Sequence, residues 1–119
     1  MKFTGIVQKN SGRGKQLGFP TANILAPADL QDGLYLGLTE GAPALVFVGA
    51  NTTFGETDRR AEIYILDFDN DIYGRQIEVE TLKKIRDVIK FDSAEALVAQ
   101  MQEDERVAKE FFANYNISN

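Results

Sequence analysis

The chain contains no cysteine and no histidine. Without cysteine there is no disulfide framework and no thiolate chemistry. Without histidine the usual acid–base side chain near neutral pH and the commonest zinc ligand are both missing. Catalysis is left to carboxylates, Lys, Tyr, hydroxyls, backbone amides or a metal held by oxygen, a set that suits Mg2+ and phosphates. Long apolar runs are also missing. The longest, "APALVFVGA", is too short to cross a bilayer, and the opening "MKFTGIVQKN" has no secretory apolar stretch. A cytoplasmic location and no membrane partner are expected. Positive charge is in the minority, 13 Lys and Arg against 18 Asp and Glu for a net −5. That balance argues against a general nucleic-acid binder, whose affinity comes mostly from neutralising phosphates, but leaves room for a small anion bound locally.

What is present reads as one domain over residues 1–119. A chain of 119 residues, 44% hydrophobic and 26% charged, is ordinary soluble globular material. It is long enough to bury roughly two-thirds of its unfolded surface in a single core. Short β-type runs fall at Phe3 to Val7, Thr21 to Leu25, Gly33 to Thr39, Ala44 to Gly49, Ala61 to Leu66 and Arg75 to Leu82, separated by Gly, Asn, Asp and Pro clusters. Six strands in so few residues predict a mainly β fold, a small antiparallel barrel of Greek-key type. Towards the end the period changes. Leu97, Val98, Met101, Ala108, Phe111 and Phe112 recur at helical spacing behind Ser93, a natural N-cap. One helix, or two short ones hinged near Asp104, is expected to pack on the barrel with this stripe as core.

The stretch "GRGKQLGFPTAN", residues 12–23, concentrates glycine and cations ahead of a proline-stiffened strand. It is not a Walker loop, since Gly12-Arg13-Gly14-Lys15 is followed by Gln16. Nor is it a dinucleotide fingerprint: Gly12, Gly14 and Gly18 are spaced one residue too long, and a strand follows instead of a helix. The physical reading is a loop whose exposed N–H groups wrap an anion while Arg13 and Lys15 add charge. Pro20 stiffens the entry to the strand, where Thr21 and Asn23, two apart, face one side. Their hydroxyl and amide oxygens can ligate Mg2+ or orient a phosphate. A flexible hairpin loop with polar residues at a strand end accounts for the residue types as well.

These residues also carry a family likeness. "GIVQKNSGRGKQLGFPTANI" resembles the signature of the riboflavin kinases (flavokinases), a Pro-Thr-Ala-Asn run after a glycine-rich loop. "GLYLGL", "AEIYILDFDNDIYG" and "IRDVIKFDSAEALVAQMQEDERVA" continue the resemblance in order over nearly the whole chain. Lys15 stands where Arg is frequent, and Thr52 where Pro is common. The resemblance implies transfer of the ATP γ-phosphoryl group to the terminal (5′) ribityl hydroxyl of riboflavin, giving FMN and ADP. It implies that Gly12, Arg13, Gly14, Lys15, Gly18, Pro20, Thr21 and Asn23 bind the nucleotide, and that Thr21 and Asn23 hold Mg2+ or another divalent cation. Glu62 becomes the general base, although a strand glutamate is more often simply solvated. The flavin is expected between the segment Arg86 to Phe91 and the C-terminal helical part. Arg86 would hydrogen-bond the flavin and Phe91 would give apolar cover, or else pack in the core. An FAD-forming adenylyltransferase, fused ahead of this domain in many bacteria, is expected here as a separate partner.

Two other readings stand beside this one: a flavin- or nucleotide-binding barrel without turnover, and an OB-like binder of single strands. The acidic charge disfavours the latter. Asp67, Asp69, Asp71 and Glu78 sit at EF-hand ligand spacings, but Ile72 occupies the required glycine position and strands flank the run. A polar hairpin tip is expected instead.

Overall fold

A computed structural model describes residues 1–8, 21–50, 59–67 and 72–115. Six strands precede one helix: β1 (Lys2–Ile6), β2 (Ala22–Leu25), β3 (Gly33–Thr39), β4 (Ala42–Gly49), β5 (Arg60–Ile65), β6 (Gln76–Arg86) and α1 (Ala94–Ala113). They form one sheet in the order β1-β6-β3-β4-β5-β2, with every pair antiparallel. The two edges meet at a single bridge, where the Gln8 N–H donates to the Asn23 carbonyl at 2.7 Å. The sheet thus curls into a nearly closed barrel, which leaves little exposed edge to template pairing with another chain.

Period-two alternation sorts the side chains. Ala61, Ile63 and Ile65 of β5 point inward with Ile24, Val46, Val48, Ile77 and Val79 to fill the barrel. Leu34, Leu36 and Leu45 point outward and form a second cluster with Ala108, Phe111 and Phe112 of α1. The β3–β4 hairpin turns through Glu40 (φ 50°) and Gly41 (φ 81°), the paired left-handed geometry that matches strand twist. At Gly37 the strands pass so closely that a Cβ would stand 2.6 Å from the Glu80 carbonyl oxygen.

One expectation is corrected. Strand β6 does not stop at Leu82 but runs to Arg86, because register shifts against β3 let it bend and keep pairing. Of the two forms expected for the C-terminal part, one helix or two hinged near Asp104, the continuous helix is the one found; Ser93 caps it, its Oγ accepting from the Ala96 N–H at 3.1 Å. The apolar stripe also divides. Leu97, Val98 and Met101 are half-buried and belong to neither core cluster. Among the described residues no helix is long and apolar enough to cross a membrane.

Candidate active site

Strand pairing sets one row of residues across the outer face. Asn23 lies opposite Glu62, Glu62 opposite Phe47, Phe47 opposite Leu34, and Leu34 opposite Arg86. Directly opposed residues in antiparallel strands are about 4.5 to 5.5 Å apart at Cα, so Asn23 and Glu62 are immediate neighbours. Arg86 stands three strand spacings from Glu62, about 14 Å along the sheet. Thr21, just before β2, is half-buried and shares the side of Asn23 by the two-residue period.

Asn23 is 9% exposed, and its Oδ1 has no hydrogen-bond partner among the described residues. A desolvated amide oxygen without a donor is costly in a folded chain. It suits an incoming cation or a donor carried by a ligand. Among the described residues no group of three or more Asp or Glu could hold a metal ion. A divalent cation at Asn23 would therefore rest on neutral protein oxygens plus substrate phosphates, the manner in which Mg2+ is commonly held. The residues fit that group. Thr39 Oγ1 is also buried without a partner, but it lies at the far end of β3, opposite Val79 and Ala42.

Glu62 is half-buried on the outer face, between the inward-pointing Ala61 and Ile63. Its same-face neighbours on β5 are Arg60 and Tyr64. An Arg60 Nη1–H donates to Gln8 Oε1, tying β5 to the residue that closes the barrel. The Tyr64 hydroxyl donates to Glu105 Oε2 of α1 at 2.6 Å. Burial above all, then that bond and the Glu105 charge, push the Tyr64 phenol up to about 12, with Asp67 adding a smaller push. Tyr64 therefore stays protonated at neutral pH and serves as a strut between barrel and helix.

Arg86 is occupied by the protein itself. Its Nε and Nη2 groups donate to Asp104 at 3.1 and 2.8 Å, and Nη1 donates to the Asp87 carbonyl at 3.1 Å. Phe91 is half-buried in the segment between β6 and α1. The structure thus joins Thr21, Asn23 and Glu62 at one place, sets Arg86 in the same row at a distance, and puts Phe91 beyond the end of β6. Gly12, Arg13, Gly14, Lys15, Gly18 and Pro20 lie outside the described residues. Sequence reasoning missed Tyr64 and Asp104. Alternation from Glu62 already placed Tyr64 on the same face, and Asp104 falls on the apolar stripe, three after Met101 and four before Ala108. An acid at such a position calls for a buried partner.

Fold and geometry together define a small, nearly closed β-barrel domain that carries Asn23 and Glu62 side by side on its outer face. Residues 1–112 match the Flavokinase family, described as riboflavin kinase, and the chain belongs to that family. It is 39% identical over 116 residues to the RNA-binding riboflavin kinase RibR of Bacillus subtilis, covering 92% of this chain and 50% of that protein. It is 35% identical over 122 residues to a bifunctional riboflavin kinase/FMN adenylyltransferase of Listeria monocytogenes, covering 92% and 37%. The crystal structure of riboflavin kinase from Trypanosoma brucei superposes with a TM-score of 0.66 at 27% identity, covering 95% of this chain and 80% of that one. The chain spans half or less of the length of these two curated relatives.

Proposed function

We propose that this domain is an ATP-dependent riboflavin kinase that moves the γ-phosphoryl group of ATP to the terminal ribityl hydroxyl of riboflavin. The observation that carries the reading is the opposition of Asn23 and Glu62 across β2 and β5 in a member of this family. The Glu62 carboxylate takes the hydroxyl proton as the ribityl oxygen bonds to the γ-phosphorus. The bond from that phosphorus to the bridging oxygen breaks, and ADP departs. Thr21 and Asn23 Oδ1 would hold Mg2+ or another divalent cation, which would neutralise charge on the phosphate oxygens. Gly12, Arg13, Gly14, Lys15, Gly18 and Pro20 are assigned to the nucleotide. The flavin ring is assigned to the space between the Arg86–Phe91 segment and α1. Phosphoryl transfer asks mainly for positioning and charge neutralisation, which suits a site without His or Cys.

An FMN adenylyltransferase activity is the proposed consumer of the product, and a cytoplasmic location fits an ATP-consuming reaction. The B. subtilis relative is named for RNA binding and this chain spans half of it; here the net charge of −5 supports a nucleotide rather than a nucleic acid as the phosphate-bearing ligand.

The test is incubation with ATP, Mg2+ and riboflavin, followed by chromatographic separation of the flavins. FMN is expected from the unchanged chain. Glu62→Gln keeps the shape and removes the basic oxygen, so its kcat should fall by about 100- to 10,000-fold with the fold intact. Riboflavin binding without FMN formation would instead establish a non-catalytic flavin module. Turnover of the Gln variant within a few fold of the parent would remove Glu62 from the role of base.

A further inference from the structure

Helix α1 is seated unevenly on the barrel. In its second half Ala108 is fully buried, and Phe111 and Phe112 pack against the Leu34, Leu36 and Leu45 cluster. Its first half, residues 94–103, has no fully buried residue. Where the two halves join stands Asp104, 5% exposed, its carboxylate gripped by Arg86 Nε and Nη2 and by Gln100 Nε2 at 3.0 Å.

Stability alone does not explain an acid at this place. A buried ion pair commonly contributes no more than apolar residues of similar volume, and an apolar residue at 104 would continue the helical stripe. What the pair adds is direction, because a planar guanidinium facing a carboxylate through two bonds fixes an angle as well as a contact. Arg86 is also the last residue of β6, and the segment that follows it runs to the N-cap Ser93. One pair therefore fixes the start of the 87–93 segment and the middle of the helix to which that segment leads.

We infer that Asp104 is a positioning residue for the flavin: through its two-bond grip on Arg86 it sets the angle between the 87–93 segment and the first half of α1, and so the width of the cleft that takes the planar ring. The inference rests on the flavin assignment proposed above. It makes Arg86 part of the frame, with its guanidinium turned to Asp104, and it assigns affinity for riboflavin to a residue that does not touch riboflavin. The proposed nucleotide side, around Thr21 and Asn23, lies at the opposite end of the row, four strand spacings from Arg86.

The experiment compares the unchanged chain with Asp104→Asn, Arg86→Gln and the double variant, measuring riboflavin affinity by flavin fluorescence, KM for each substrate and thermal melting. Both single variants should lose riboflavin affinity by a similar factor, about tenfold, and the double variant should lose no more than the worse single one. KM for ATP should stay within twofold. Loss in Arg86→Gln with parental affinity in Asp104→Asn makes Arg86 a direct flavin contact and overturns the inference. Lower melting temperatures with parental affinity in all three reduce the pair to a structural one and overturn it too. If Asp104→Asn does not fold, Asp104→Glu carries the test: it keeps the charge and adds one methylene, and weaker riboflavin binding at a near-parental melting temperature is expected. Parental affinity in that variant rejects the inference. Failure of the unchanged chain to bind riboflavin appears before any substitution and overturns the functional reading, with this inference along with it.

Discussion

Replacing Tyr64 by Phe removes one oxygen from the strut between β5 and α1 and leaves the ring in place. The lost bond is the 2.6 Å contact to Glu105 Oε2, a hydrogen bond to a charged acceptor, and such bonds contribute about 1.5 to 3 kcal/mol. The Glu105 side chain is 25% exposed, with the Lys109 ammonium 4.0 Å away. Its carboxylate can rehydrate once the phenol is gone, so screening by solvent brings the expected cost down to about 1 kcal/mol. For a domain of this size that is a fall in Tm of about 3 to 6 °C at neutral pH. The same bond predicts a pH dependence. Burial first, and then Glu105, hold the Tyr64 phenol at about 12 against an ordinary 10.0, so the unfolded chain releases this proton earlier than the folded one. The contribution is complete below pH 10 and is lost as pH rises from 10 through 12. Phenylalanine has no such proton, so the gap in Tm between parent and variant should narrow between pH 8 and pH 11. Melting curves followed by circular dichroism at both pH values measure it, with every other titrating group common to the two proteins. Equal melting temperatures at pH 8, or a gap that widens on the alkaline side, would refute the strut.

Asn23→Ala removes an oxygen without a protein partner, so its cost to stability should be about 1 kcal/mol or less. The Mg2+ concentration for half-maximal turnover should nevertheless rise by at least the ~10- to 100-fold typical of damage around a metal site, read from Mg2+ titrations of FMN formation. Gly37→Ala drives a Cβ to 2.6 Å from the Glu80 carbonyl oxygen and 3.1 Å from Val46 Cγ2, so β3 and β6 must part. Urea unfolding should show a loss of about 1 to 3 kcal/mol. Ser93→Ala deletes the N-cap bond to Ala96 and should cost about 1 kcal/mol in the same assay, with KM for ATP unchanged.

The strands were legible because their apolar residues alternate. Ile63 and Ile65 mark the inside of β5 and Glu62 the outside, and strand pairing then places Glu62 beside Asn23. The helix start was legible at Ser93 for a local reason, a hydroxyl within reach of its own next turn. The last residues of β6 were not, because Lys83 to Arg86 keep pairing with β3 only through register shifts, which leave no mark in a sequence pattern. Whether one helix or two would meet at Asp104 stayed open for a similar reason. Its partner is 18 residues away on another element, and helical spacing cannot distinguish an acid that breaks a stripe from one that is buried in a pair.

The missing residue types and the barrel's size lead to the same place. An eight-stranded barrel is just wide enough for side chains to fill its interior, and six strands leave less room still. Here mainly Val, Ile and Ala side chains fill that interior, which favours placing the proposed chemistry on the outer face. An outer face gives one wall only. The second wall has to come from chain that packs back over the sheet, which is the work of α1 and the segment leading to it, and both are fastened at polar points, Tyr64 to Glu105 and Arg86 to Asp104. Fastening by directed bonds in place of continuous apolar packing goes with a first half of the helix that has no fully buried residue. The absence of His and Cys, and of an acidic cluster among the described residues, is consistent with the proposed function. A cation arriving with the nucleotide would bring its own phosphate ligands, and on that proposal the protein would need to add only neutral oxygens at Thr21 and Asn23 and one base at Glu62.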